Sequence, residues 1–264
     1  MKPEILSKAL DMVVSRPRFL DGARAAGSVH SQRDNTKRMR TGTTIIAFHF
    51  SDGLIFAADK KTSGGYLTII SVESVKIFEI SPLAAIGGAG LVSDIQFVVN
   101  MMTELNHSFI SKFEYPLSIK GQARYLANYL REFRYYVDPF GLEGQFVIGG
   151  LNLEEDMAIF EVHEDGSLYQ AKSYVVIGSG TEGALGVLRE EKKNLIERKL
   201  CLEESIDLAV KSISRAGDRD NGTADIRVAE PTIAKITVDG YEVIDPAIVS
   251  MAVKNLLEKE APRG

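Results

Sequence analysis

Apolar residues recur along this chain with two periods that alternate in blocks. From residue 43, TTIIAFHF and LIFAAD are rich in β-branched and aromatic residues and flank Ser51-Asp52-Gly53, which predicts a β-hairpin over 43–59. Short strands follow at Tyr66–Ile70 and Lys76–Ile80, and the apolar run LAAIGGAG at 83–90 carries glycines that suggest close backbone approach. The period then becomes helical. Ile95, Val98, Val99, Met102 and Leu105 share one face of a helix from Leu91 to Phe113. Ala123, Leu126, Ala127, Leu130 and Phe133 do the same between Leu117 and Val137.

Strand signals return at 145–151, at 157–163 and in one long run, SLYQAKSYVVIG, at 167–178, with Glu164-Asp165-Gly166 as a turn. Helices are predicted over 181–194 and 202–216, the second with Glu203 and Glu204 in its first turn, where acids favour the helix dipole. A hairpin over 232–244 and a helix from Pro246 complete the pattern. Strands, two helices, strands, two helices and strands fit an α+β fold of two packed sheets with helices on both outer sides.

Composition narrows this only a little. At 264 residues with 45% hydrophobic content, the chain can bury one large core, so a single globular unit is expected. No run approaches the length of a membrane helix, and the N-terminus lacks a secretory apolar core, so a cytoplasmic protein is expected, with no membrane partner. Cys201, the one cysteine, excludes an internal disulfide and is read as structural.

Charge is uneven. Residues 1–42 hold nine Lys and Arg against four Asp and Glu, whereas the whole chain carries −5. The basic cluster ends abruptly at Thr41 and holds few aromatics, which argues against a nucleic-acid arm. None of the four histidines has metal-ligand spacing, and no GxSxG elbow occurs, so zinc and serine-triad hydrolysis are poorly supported; His49 and His163 are read as structural.

Two glycine motifs remain. Gly178-Ser179-Gly180-Thr181-Glu182-Gly183 lies between a strand and a helix, as a dinucleotide-binding fingerprint would. That reading also requires a second parallel strand ending in an acid about 20 residues on, and 184–216 is helical. A tight turn with glycines where side chains would collide is the alternative.

The second motif opens the first hairpin: Arg40-Thr41-Gly42-Thr43-Thr44-Ile45-Ile46, then Asp52-Gly53, Ala57-Ala58-Asp59 and Lys61. With Lys76, Ala89-Gly90-Leu91-Val92-Ser93-Asp94, Gly149-Gly150, Gly178-Ser179-Gly180 and Arg219-Asp220 in order, it resembles the β-type subunits of the 20S proteasome over about 43–245. The resemblance implies a four-layer αββα sandwich of two antiparallel sheets, the N-terminal nucleophile hydrolase fold. It also implies a threonine endopeptidase made as a zymogen. Residues 1–42 would be a propeptide removed by autocatalytic cleavage at Gly42-Thr43, and 43–264 the catalytic domain.

The chemistry of such a site is simple. A threonine hydroxyl needs a base, and an N-terminal residue supplies one in its α-amine, with an intrinsic pKa of roughly 7.7 to 8.0. The resemblance gives Thr43 the role of nucleophile, Asp59 and Lys76 an electrostatic role beside it, Gly90 N–H that of oxyanion donor, and Ser179, Asp220 and Thr223 a supporting network. Thr62, Ser63, Ser74, Gly88 and Val92 would line the substrate cleft, a roomy pocket for bulky side chains. No metal or cofactor is implied. This sequence departs from the usual pattern in three ways. The Asp59 to Lys76 interval is one residue longer than that pattern has, implying a bulge or longer turn near Gly64-Gly65; Thr223 stands where serine is usual; Ala224 stands where glycine is usual.

Partners follow from the same resemblance: seven-membered β rings stacked between α-subunit rings, a ring-shaped ATPase outside the α rings, and unfolded polypeptides as substrates. The long leader and the ending DIRVAEPTIAKI look closer to the bacterial type, in which a small protein tag can mark substrates. A catalytically silent β subunit would share the fold but should lack the Gly-Thr junction, the aspartate or the lysine, and all are present. The smaller bacterial two-ring threonine peptidase fits Thr-Thr-Ile, but its chains are much shorter.

Overall fold

The computed structural model describes residues 42–63, 69–71, 73–152 and 156–261. The leader expected over 1–42, apart from Gly42, lies outside the described residues. So do the turn expected at Gly64-Gly65 and most of the strand expected at Tyr66–Ile70.

The first hairpin forms as its pattern predicts, with β1 at Thr44–Phe50 and β2 at Gly53–Ala58. Short β3 (Thr62–Ser63) and β4 (Ile69–Ser71) pair with each other, and β5 (Ile77–Ser81) and β6 (Ala84–Gly90) lead to α1 (Val92–Phe113) and α2 (Ile119–Tyr136). Ser118 Oγ accepts from Gly121 N and starts α2. Then come β7 (Gly144–Leu151), β8 (Met157–Val162), β9 (Leu168–Ala171) and β10 (Tyr174–Gly178). Next are α3 (Thr181–Glu190), a π-helical turn at Asn194–Arg198 and α4 (Leu202–Gly217), where Cys201 N donates to Glu204. The chain closes with β11 (Thr232–Thr237), β12 (Gly240–Val243) and α5 (Pro246–Glu260), whose first turn Asp245 caps.

Two five-stranded antiparallel sheets result, ordered β10-β1-β2-β11-β12 and β5-β6-β7-β8-β9. Ile45, Ala47, Leu54 and Phe56 of the first pack against Ile77, Ala85, Val147 and Ile159 of the second. The alternate residues Ile46, Phe48, Ile55 and Ala57 face α3, α4 and α5, and Ile86, Phe146 and Ile148 face α1 and α2. The architecture is the expected four-layer αββα sandwich. Both faces of β1 and β2 are covered, which is why they read as continuous apolar runs and not as alternation.

One expectation is corrected. SLYQAKSYVVIG is not one strand: β9 pairs with β8 in the second sheet, while β10 pairs with β1 in the first. The chain changes sheets across Lys172-Ser173, where Ser173 O accepts from His49 N at 3.1 Å. No glycine or proline marks the break, so periodicity runs through it. Cys201, read as structural, is exposed and stands at the N-cap of α4, where its N–H donates to Glu204 at 3.0 Å. His49 is half-buried in β1, where burial and then the charge of Lys199 lower its pKa.

The glycines of the second sheet set the spacing between the sheets. A Cβ on Gly149 would lie 2.9 Å from Phe56 and 3.0 Å from Leu54, and one on Gly87 would lie 2.9 Å from Ile45. Gly149→Ala therefore overpacks this contact and should lower stability by about 1–3 kcal/mol. Urea unfolding of the recombinant chain checks this: the midpoint should fall with the slope unchanged.

Candidate active site

Thr43 enters β1 beside the turn that follows β10. Its carbonyl accepts from Ser179 N at 2.9 Å, and its N–H donates to Ser179 Oγ at 3.2 Å. Ser179 Oγ in turn donates to Asp220 Oδ2 at 2.5 Å. A hydroxyl has one proton, so with that proton on Asp220 the serine oxygen acts as an acceptor toward Thr43. The Thr43 nitrogen is here the peptide amide that follows Gly42.

Asp220 lies in the loop after α4. Its Oδ2 also accepts from Thr223 Oγ1 at 2.7 Å, and its Oδ1 accepts from Gly222 N at 3.0 Å. Thr223 Oγ1 is 2.6 Å from Thr44 Oγ1, and with its own proton on Asp220 it accepts from Thr44. Burial alone would raise the Asp220 carboxyl. The hydroxyls of Ser179 and Thr223, with the main-chain N–H groups of Gly222 and Thr223, outweigh burial and hold it below its ordinary value of 3.8.

Asp59, directly after β2, is wholly buried. Its Oδ1 accepts from Thr44 N and from Lys76 Nζ, each at 2.8 Å; its Oδ2 accepts from Lys61 N at 3.0 Å and Ala224 N at 3.2 Å. Lys76, just before β5, also donates to Lys61 O at 2.5 Å. Burial lowers the Lys76 pKa, while the charge and hydrogen bond of Asp59 pull it back up. Lys61 Nζ donates to Asn221 O at 2.6 Å, which ties the segment after β2 to the Asp220 loop.

The three glycines of the 178–183 motif are occupied by the protein itself. Gly178 has φ +98°, and a Cβ there would overlap the Thr43 carbonyl; one on Gly180 would overlap Thr44 Oγ1; one on Gly183 would overlap Arg215 O of α4. The tight turn is thus the better reading of that motif. Gly90 ends β6 opposite Gly144 with φ +154°. Ala89 Cβ lies 3.4 Å from the Cβ position of Gly178, which brings the end of β6 alongside Thr43.

The expected cleft residues are only partly brought together. Thr62 Oγ1 donates to Ser74 Oγ at 2.5 Å. Gly88 N donates to Lys76 O at 3.3 Å, but its Cβ direction points at Ile95 of α1. Val92 is exposed at the start of α1. The backbone of Ser63 pairs with Ile69 while Thr62 pairs with Ser71, so an extra residue, Ile70, interrupts the register beside the segment where the longer turn is expected.

Three participants were given no site role from sequence: Thr44, through its N–H to Asp59 and its hydroxyl to Thr223; Lys61, named only within the motif; and Gln145, whose Oε1 accepts from Gly178 N at 3.2 Å. The doubled Thr43-Thr44 was the available signal for the first. Among the described residues no group of three or more His, Cys, Asp or Glu side chains is placed to hold a metal ion, and no helix is long and apolar enough to cross a membrane.

This architecture, with a threonine at the start of a buried strand beside a carboxylate-lysine pair, can be compared with known proteins. The family described as Proteasome subunit matches residues 39–229. The chain is 32% identical over 205 residues to proteasome subunit beta 2 of Saccharolobus solfataricus (strain ATCC 35092 / DSM 1617 / JCM 11322 / P2), covering 77% of this chain and 90% of the relative. It is 30% identical over 223 residues to proteasome subunit beta of Methanohalophilus mahii, covering 84% and 99%. It is also 32% identical over 184 residues to proteasome subunit beta 1 of Korarchaeum cryptofilum, covering 70% and 84%. The chain belongs to the proteasome subunit family and is of the β type.

Two predictions follow from the ion pair and its neighbour. Asp59→Ala leaves the Lys76 ammonium and three main-chain N–H groups without their acceptor, and should cost about 3–5 kcal/mol. Lys76→Met leaves Asp59 with those N–H donors and should cost less; denaturant unfolding of both variants decides the order. Asp220 has a folded pKa below its unfolded one, so its contribution to stability is complete above pH 3.8 and is lost as pH falls through the folded value. The difference in Tm between wild type and Asp220→Asn should therefore be constant near neutrality and shrink on acidification.

Proposed function

We propose that the chain is the precursor of a threonine endopeptidase subunit of the proteasome core, with residues 1–42 a propeptide and 43–264 the catalytic domain. The observation that carries this reading is the placement of Thr43: its nitrogen meets the Ser179-Asp220 pair, and its neighbour Thr44 binds the buried Asp59-Lys76 pair through its own N–H.

Maturation begins when Thr43 Oγ attacks the Gly42 carbonyl carbon. The Gly42-Thr43 C–N bond breaks, the nitrogen takes up a proton, and Gly42 is left as an ester on Thr43 Oγ. Water hydrolyses the ester, giving the Gly42 carboxyl group and a free Thr43 amine. That amine then serves as the base that the amide could not be. In each later turnover it takes the hydroxyl proton as Thr43 Oγ attacks a substrate carbonyl, while Gly90 N–H stabilises the oxyanion. The leaving amine receives the proton when the C–N bond breaks, and water, deprotonated by the Thr43 amine, hydrolyses the ester. Lys76, its pKa lowered by burial, supplies positive potential that favours the deprotonated forms of the Thr43 hydroxyl and amine. Ser179, Asp220 and Thr223 hold the amine in place.

Substrate binds as an added strand between Thr62-Ser63 and Gly90, through main-chain hydrogen bonds that read no sequence. Small residues at Thr62 and Ser74, with Val92 at the start of α1, leave room for bulky side chains. The subunit works in the cytoplasm, in seven-membered β rings stacked between α rings, on unfolded polypeptides delivered by a ring-shaped ATPase. The length of the leader and the ending DIRVAEPTIAKI favour the bacterial type over the archaeal. Confinement within the barrel keeps folded proteins from the catalytic threonines.

Intact mass of the chain co-expressed with its α partner, beside Thr43→Ala, tests the proposal. Wild type should lose residues 1–42 and hydrolyse unfolded protein, and Thr43→Ala should do neither. A leader retained by both in assembled rings would make this a silent subunit.

A further inference from the structure

Gly42 and Gly222 occupy each other's side-chain space. A Cβ built on Gly42 would overlap Gly222 Cα and lie 2.5 Å from its carbonyl carbon; a Cβ built on Gly222 would lie 2.6 Å from Gly42 Cα. Gly222 has no positive φ, so backbone freedom does not account for glycine there. The contact is backbone against backbone, between the last residue before Thr43 and the loop that carries Asp220 and Thr223. The same loop is tied down on both sides, by Gly222 N to Asp220 Oδ1 and by Lys61 Nζ to Asn221 O.

The geometry points to Gly222 as a positioning residue for cleavage of this chain's own leader, acting through Gly42. The inference rests on the reading of Thr43 as a nucleophile released by cleavage at Gly42-Thr43. Attack on the Gly42 carbonyl requires that carbonyl to be held against Thr43 Oγ, and a displacement of about 1 Å is enough to cost a reaction some two orders of magnitude. The closeness to Gly222 backbone is what sets the path of Gly42. Once the leader departs, Gly42 leaves with it, and the crowding over Gly222 is relieved. A methyl group at 222 would then face Ser179 Oγ at 3.0 Å and Asp220 Oδ2 at 3.1 Å, contacts that small side-chain shifts can absorb. The demand for glycine at 222 is therefore far stronger in the precursor than in the mature enzyme.

The test is Gly222→Ala, made in two forms. One is the full chain co-expressed with its α partner, in which the rate of leader loss is followed by intact mass. The other begins at Thr43, exposed from an N-terminal fusion by a protease that leaves no extra residue, and its kcat and KM are measured on a fluorogenic peptide. Leader loss should slow by about tenfold or more, the cost of overpacking a tight contact. The Thr43-first form should lose much less, under about threefold in kcat/KM. Equal losses in the two forms would overturn the inference and make Gly222 a support of the Asp220 loop only. Unchanged leader loss would overturn it as well. A wild-type chain that keeps its leader, and is inactive when begun at Thr43, would instead overturn the reading of Thr43 on which the inference rests.

Discussion

The buried carboxylate of Asp59 is the constraint around which the rest of this structure is arranged. A fully desolvated charge persists only if its oxygens are occupied, and here the donors come from four separate parts of the chain: Thr44, Lys61, Lys76 and Ala224. Satisfying one side chain therefore fixes the start of β1, the exit from β2, the approach to β5 and the loop after α4. Thr43 sits one residue before the first of these donors. Its position is a consequence of that arrangement as much as of its own bonds.

Glycine does the complementary work. Where Asp59 draws segments together, the glycines at 178, 180 and 183 let main chain approach Thr43, Thr44 and α4 more closely than any side chain would allow. Those at 87 and 149 do the same for the two sheets. The motif that resembles a phosphate cradle in sequence is thus filled by the protein's own atoms. A similar economy joins Ser179, Thr223 and Thr44, whose hydroxyls form a directed chain that ends on Asp220 and leaves the serine oxygen as an acceptor toward Thr43.

Much of this was legible in the chain. The first hairpin, the helix pairs and the last hairpin each have a local period or turn signal that burial on folding does not alter, so their existence followed from pattern alone. The site residues were legible only as an ordered series of motifs; spacing could place Asp59 at a strand end but could not say that Ala224, 165 residues away, would donate to it. The sheet change at Lys172-Ser173 was invisible because both halves of the run are β-compatible and no glycine or proline separates them. Which sheet each half joins depends on partners, β8 for one and β1 for the other, that lie far off in sequence.

The amino-acid sequence by itself determined the order of the elements apart from the break between β9 and β10, the apolar runs of β1 and β2, and the presence of a threonine after glycine at the head of a strand. Local propensity and hydrophobic period are properties of short segments, and short segments were enough for these. Tertiary structure decided the rest: that Thr44 and Lys61 join the network, that the hydroxyl chain runs toward Asp220, and that Gly42 meets Gly222. Those contacts depend on distances between segments that only the packing of the two sheets and their helices establishes.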